Sequence, residues 1–100
     1  MRDIKSKIYP REELVKILEP LKAAGKKIGL TNGAFDILHA GHVRYLEDAK
    51  KKCDILVVSV NTDSSVKEYK DDGRPIVPEQ ERAAVVAALE SVDYVTFHGE

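Results

Sequence analysis

Apolar residues along the chain follow two different spacings, and the order in which these spacings alternate predicts the fold. Intervals of three and four residues, as at Leu14, Ile17 and Leu21, are typical of helices with one buried face. Pro10 and Pro78 are expected at the first helical position of such segments, where a missing N–H costs nothing. Helices are predicted at 10–25, 41–51, 62–69 and from 78 onward.

Mostly apolar runs between these helices predict three strands. The clearest is Asp54–Val60 (DILVVSV), which is apolar almost throughout, as expected of a strand buried in a parallel sheet. Shorter runs at 27–31 and 94–97 predict the other two strands. Alternation of strand and helix implies right-handed crossovers. The predicted fold is therefore α/β, a three-layer Rossmann-like parallel sheet with helices on both faces, in a single domain over residues 1–100.

The stretch TNGAFDILHAGH, from Thr31 to His42, follows the first predicted strand and contains residues that a plain turn does not need. Gly33 and Gly41 allow a ligand to approach the backbone closely. Free N–H groups at the start of the next helix can meet an anion, and His39 and His42 are spaced so that both imidazoles can face it. Ligands of parallel sheets bind beyond the carboxyl ends of the strands, where the strand order reverses. A phosphate site is therefore predicted here.

A metal site is the alternative interpretation of the same side chains. Asp36, His39 and His42 could bind zinc with His98 as a fourth ligand, or Asp36 could orient a histidine or cap the turn. The spacing is not that of common structural zinc sites, which usually draw on cysteine. Neither GxxxxGK[ST] nor GxGxxG, the phosphate loops of commoner nucleotide folds, occurs in the chain.

Composition and charge indicate which classes of partner and which cellular compartment are expected for the protein. Lys and Arg together number 16 against 17 Asp and Glu, and a net charge of −1 disfavours a nucleic-acid binder, which is usually basic. The single cysteine, Cys53, cannot form an intrachain disulfide and predicts a reducing compartment. No segment approaches the roughly 18 apolar residues of a membrane span. A cytoplasmic protein is predicted, with no nucleic-acid partner and no membrane partner.

The motif His39-Ala40-Gly41-His42 resembles the HxGH signature of the nucleotidyltransferase superfamily. Thr-Asn-Gly and Phe-Asp just before it resemble the cytidylyltransferase-like branch, as do the later stretches NTDSSVKEYK and GRPIVPEQERAAVVAALESVDYV with their spacing. Within that branch the chain is most similar to the adenylyltransferase domain of ADP-heptose synthases, over nearly its whole length.

That resemblance implies a specific reaction. A phosphate oxygen of a sugar phosphate such as heptose 1-phosphate attacks the α-phosphorus of ATP or CTP, and pyrophosphate leaves with the help of Mg²⁺. In such a transfer the protein mainly positions the two substrates and stabilises the charge on the phosphates. The family domain normally continues beyond the third strand, and a homodimer is expected to cover the exposed edge of the sheet.

Residue roles come from the same resemblance. Catalytic roles are implied for His39, His42 and Lys70, and contacts with the sugar phosphate for Asp36 and Arg74. Nucleotide contacts are implied for Thr31, Asn32, Gly33, Ala34, Phe35, Gly41 and Arg82.

Two other functions remain open from the sequence. One is a non-catalytic module that binds a nucleotide or phosphate with the same loop. The other is an adenylyl- or cytidylyltransferase that acts on glycerol 3-phosphate or another small phosphate.

Overall fold

The structure, a computed structural model, describes residues 2–69, 73 and 75–99. A short 3-10 turn at Ile4–Lys7, which the apolar spacing did not predict, comes first, and helices and strands then alternate except for two consecutive helices before the last strand. The elements are α1 (Arg11–Ala23), β1 (Ile28–Gly33), α2 (Ala40–Lys51), β2 (Ile55–Asn61), α3 (Asp63–Tyr69), α4 (Glu79–Ala87) and β3 (Tyr94–His98).

The three strands form one parallel sheet in the order β1-β2-β3. Gly33 is in register with Val60, and Asn61 with His98, so all three carboxyl ends meet at the same edge of the sheet. The α/β class and the parallel sheet are confirmed. Both crossovers between the described strands step in the same direction, and the expectation that the site lies where the strand order reverses stays a prediction.

The main hydrophobic core lies on one face of the sheet. Val58 and Val60 on β2 and Val95 on β3 are fully buried there, together with Leu46 of α2 and Val86 of α4. Val57 points to the other face and is also buried, and α1 contacts β3. Helices therefore lie on both faces, as the alternating pattern predicted, but Leu30 of β1, in register with Val57 on the second face, is 70% exposed.

Three local boundaries differ from the predictions for physical reasons. Pro10 and Pro78 are N-caps rather than first helical residues, since their ψ angles of 153° and 151° are extended. Strand β1 was expected to end at Thr31, but it continues to Gly33 because β2 offers pairing partners as far as Val60. The start of the glycine-containing stretch is therefore strand and not loop.

The N-terminal segment is joined to the far end of the sheet by Lys7. Its Nζ donates hydrogen bonds to the carbonyl oxygens of Leu89 (3.2 Å) and Val92 (2.8 Å), just before β3. Burial lowers the pKa of this ammonium group, since desolvation disfavours the charged form. This contact lies at the amino ends of the strands, on the opposite side from the histidines.

Thr96 on β3 carries a stability prediction. The residue is 6% exposed, and its Oγ1 has no hydrogen-bond partner within the described part of the chain. A buried polar group left without a partner costs about 1–3 kcal/mol. Thr96→Val should therefore raise the free energy of unfolding by about 1 kcal/mol in urea titrations. The control is Ser59→Ala at the register partner of Thr96 on β2, which removes a hydroxyl that is hydrogen-bonded to His98 and should lower stability. A Thr96→Val protein less stable than wild type would contradict the prediction.

Candidate functional site

The turn after β1 is held by an aromatic anchor. Phe35 adopts φ = 50°, a left-handed conformation unusual for a bulky residue, and its ring is buried in the core cluster. The ring lies so close to Gly33 that a Cβ there would sit 2.9 Å from Cε2 of Phe35. The same ring meets His42 edge-on, with centroids 5.5 Å apart. The backbone strain thus accompanies a turn that places the next residues above the carboxyl edge of the sheet.

The two histidines start α2 as a reciprocal pair. His39 is the N-cap, and its Nδ1 accepts a hydrogen bond from the Gly41 N–H at 3.0 Å. The backbone N–H of His39 in turn donates to Nδ1 of His42 at 3.1 Å. The rings lie side by side with centroids 4.0 Å apart and planes tilted by 38°. A methyl group on Gly41 would lie 2.8 Å from Cε1 of His39, so glycine makes room for this ring.

These hydrogen bonds decide which nitrogen carries the proton. Because Nδ1 of each imidazole accepts from a backbone N–H, the neutral ring must hold its proton on Nε2. His39 and His42 therefore both carry a proton on Nε2. The N–H groups of Gly41, His42 and Val43 in the first turn of α2, predicted from the sequence to be free for an anion, are instead hydrogen-bonded to His39. Two such imidazole donors next to each other suit the oxygens of a phosphate chain.

Asp36 holds a neighbouring segment in place. The residue is 6% exposed, and its carboxylate accepts hydrogen bonds from the backbone N–H groups of Ile76 (2.9 Å) and Val77 (2.8 Å). This carboxylate joins the turn after β1 to the segment that enters α4. The contact with the sugar phosphate that the family resemblance implies stays a prediction.

Arg82 occupies the interior. The residue is 1% exposed, and its guanidinium forms a 2.6 Å ion pair with Asp63. Its N–H groups also donate to the carbonyl oxygens of Ala34 (2.6 Å), Asn61 (2.7 Å) and Val77 (2.8 Å). The guanidinium donates to three backbone carbonyls and a carboxylate, and its contact with a nucleotide stays a prediction. Arg82 fastens together the turn after β1, the end of β2 and the entry to α4.

The other residues predicted to contact the nucleotide or the phosphates differ in their burial and in their contacts. Thr31 is buried and shares a hydrogen bond of 2.5 Å with the hydroxyl of Tyr45, whereas Asn32 is exposed. Ala34 contributes its carbonyl to Arg82. Lys70 and Arg74 lie outside the described residues, and their roles stay predictions.

The zinc interpretation requires Asp36, His39, His42 and His98 to converge. Across residues 2–69, 73 and 75–99, no group of three or more His, Cys, Asp or Glu side chains is positioned to hold a metal ion. Nδ1 of both His39 and His42 is already hydrogen-bonded to the backbone. Within the same residues, no helix is long and apolar enough to cross a membrane.

Two side-chain contacts at the carboxyl side of the sheet were not predicted from the sequence. Asp63 anchors Arg82, and Ser59 on β2 shares a 2.6 Å hydrogen bond with Nδ1 of His98 on β3. The only available signal for the second contact was a polar residue inside an otherwise apolar run, together with a histidine at the end of a strand. Sequence spacing does not reveal that register brings them together.

The fold and the histidine pair at its carboxyl edge define the class of this protein. Residues 30–99 match the family model described as Cytidylyltransferase-like, and the chain belongs to that family. This confirms the resemblance to nucleotidyltransferases that the HxGH motif carried.

Individual relatives are closely similar. The chain is 49% identical over 98 residues to the Bifunctional protein HldE of Pelobacter propionicus. The aligned region covers 98% of this chain and 20% of that protein. It is 50% identical over 95 residues to the Bifunctional protein HldE of Aliarcobacter butzleri, covering 95% of this chain and 20% of that protein. The chain thus spans about a fifth of the length of these relatives.

A solved structure is also similar. The lipopolysaccharide core biosynthesis protein of Thermoplasma volcanium superimposes with a TM-score of 0.68 at 38% identity, covering 75% of this chain and 60% of that chain.

Proposed function

We propose that the chain transfers a nucleotidyl group from ATP or CTP to a sugar phosphate such as heptose 1-phosphate, and that pyrophosphate is released. The observation that carries the proposal is the His39–His42 pair, with both Nδ1 atoms bonded to the backbone and both rings packed side by side. The high identity to HldE proteins supports a substrate in heptose metabolism.

Catalysis by this site is positioning and charge stabilisation. A phosphate oxygen of the acceptor forms the new bond to the α-phosphorus of the nucleotide, while the bond to the β-phosphate bridging oxygen breaks and pyrophosphate carries the electron pair away. The Nε2–H groups of His39 and His42 donate to phosphate oxygens as negative charge builds up on them. No side chain has to act as a nucleophile. Lys70 and Arg74 are proposed to add positive charge to the phosphates.

Mg²⁺ is proposed to enter with the nucleotide. Among described residues beside the turn, the carboxylate of Asp36 accepts from two amides and that of Asp63 pairs with Arg82. Neither carboxylate suits the ion as a ready ligand, and Mg²⁺ usually keeps several waters and binds phosphates directly. We therefore assign no protein ligand to the ion. A homodimer and a cytoplasmic location remain predictions from the sequence.

A coupled pyrophosphate assay tests the function. ATP and CTP are each mixed with Mg²⁺ and with heptose 1-phosphate, glycerol 3-phosphate or no acceptor. We expect pyrophosphate release that requires both a nucleotide and heptose 1-phosphate. His39→Asn is the matched control and should release little. If pyrophosphate is released with glycerol 3-phosphate but not with heptose 1-phosphate as the acceptor, the protein acts on glycerol 3-phosphate instead. Tight nucleotide binding without release under any condition would favour a non-catalytic binding module.

A further inference from the structure

The outer side of α4 is an exposed surface with an apolar centre. Val85 on α4 and Ala88 at its C-cap are both exposed and lie three residues apart, so they share one side of the helix. The 3-10 turn at Ile4–Lys7 contacts α4, and Ile4 in this turn is also exposed. An open cavity of about 470 Å³ lies between the turn and the end of α4, with Ile4 and Ala88 on its wall. We call the surface formed by Ile4, Val85, Ala88 and this cavity the α4 face.

Charged side chains of both signs border the cavity of the α4 face. Arg2 and Lys7 line its wall together with Glu90 and Asp93, so two cations stand beside two anions. Lys7 and Asp93 are engaged within the chain, through the hydrogen bonds of Lys7 to two carbonyls and the ion pair of Asp93 with Lys50. Arg2 and Glu90 are exposed, and within the described residues neither of them forms an ion pair. The surface therefore offers one cation and one anion to a partner.

A surface with this arrangement of charges is complementary to itself. In a dimer with two-fold symmetry the same surface of both copies meets, and each group faces a different group across the contact. A two-fold axis beside Ala88 would set Arg2 of one copy opposite Glu90 of the partner subunit, and the reverse pair would form on the other side of the axis. Opposite charges attract across such a contact, while Ile4 and Val85 are removed from water.

The open edge of β1 is another apolar surface, but its charge disfavours a second copy. Among the described strands β1 pairs only with β2, and Leu30 on β1 is 70% exposed. Two cavities border this strand, and their walls carry four lysines against two acidic residues: Lys22, Lys26, Lys27, Lys52, Glu19 and Asp48. Two copies that met there would bring like charges together, which costs free energy. The sequence led us to expect a dimer at the sheet edge, whereas the charges favour the α4 face.

We propose that the chain forms a two-fold dimer through the α4 face, with Arg2 of each copy paired with Glu90 of the partner subunit. The face lies at the amino ends of the strands, because Val92 and Asp93 on the cavity wall directly precede β3. The histidine pair lies at the carboxyl edge, so both nucleotide sites of the dimer stay open. The inference does not depend on the proposed function.

Charge reversal tests the ion pair. Wild type should sediment at twice the chain mass of 11.1 kDa in analytical ultracentrifugation. Arg2→Glu and Glu90→Arg should each raise the dissociation constant of the dimer about tenfold or more, because like charges then face each other twice. An equimolar mixture of the two variants should form a heterodimer, since both contacts then join opposite charges. A monomeric wild type, single variants that dimerise as tightly as wild type, or a mixture that associates no better than each variant alone would overturn the proposal.

Substitutions of exposed apolar residues test the location of the interface. Val85→Glu should dissociate the dimer, whereas Leu30→Glu, the matched control at the sheet edge, should leave the dissociation constant unchanged. Both positions are exposed, so the Tm of each variant should stay close to that of wild type. Val85→Glu should also bind ATP as wild type does, because the α4 face is remote from the histidine pair. Dissociation by Leu30→Glu but not by Val85→Glu would place the dimer at the sheet edge and overturn the proposal.

Discussion

His39→Asn should bind ATP with Mg²⁺ about 10- to 100-fold more weakly than wild type, while its Tm stays close to the wild-type value. Asparagine is among the best N-cap residues, and its side-chain oxygen can replace Nδ1 as the acceptor for the Gly41 N–H. What is lost is the Nε2–H donor, and a hydrogen bond to a charged group is worth about 1.5–3 kcal/mol. Isothermal titration with ATP and a thermal unfolding curve measure the two quantities.

Companion variants separate binding from helix capping. His42→Asn preserves the acceptor for the His39 N–H and should lose affinity to a similar extent. His39→Ala should lose the same affinity and, in addition, about 1 kcal/mol of stability, because the cap is removed. Equal ATP affinity in wild type, His39→Asn and His42→Asn would remove the basis of the proposed function.

Arg82→Met should lower the free energy of unfolding by about 3 kcal/mol or more, because three backbone carbonyls lose a buried donor and each unpaired group costs about 1–3 kcal/mol. The variant leaves the carbonyls of Ala34 and Asn61 and the carboxylate of Asp63 without their donor. A domain of this size has only about 5–15 kcal/mol of stability in total. Urea denaturation followed by circular dichroism measures the loss.

Asp63→Asn is the matched control for Arg82. An asparagine oxygen can still accept from the guanidinium, and the Asp63 side chain is 37% exposed, so a loss of about 1 kcal/mol is expected. If Arg82→Met is as stable as wild type but binds ATP poorly, the structural role of Arg82 is wrong. That result would instead support the direct nucleotide contact implied by the family resemblance.

Elements and class were predictable because they depend on local spacing. The apolar run of β2 and the helical intervals in α1 and α4 report which side of each element is buried, whatever the rest of the chain does. The position of the site was predictable for a similar reason, since the HxGH motif follows a strand and begins a helix in sequence as well as in space. The end of β1 was not, because it depends on how far β2 continues to pair.

By itself, the sequence determined the alternation of strands and helices, the parallel sheet, the family and the two neighbouring histidines. Tertiary structure alone decided what the other polar side chains do. Asp36 meets Ile76, Arg82 meets Ala34, and Ser59 meets His98, across separations of 40, 48 and 39 residues. A hydrogen bond depends on distances of about 3 Å and on direction. Such contacts follow from strand register and from the path of the turns, which no local spacing of residue types records.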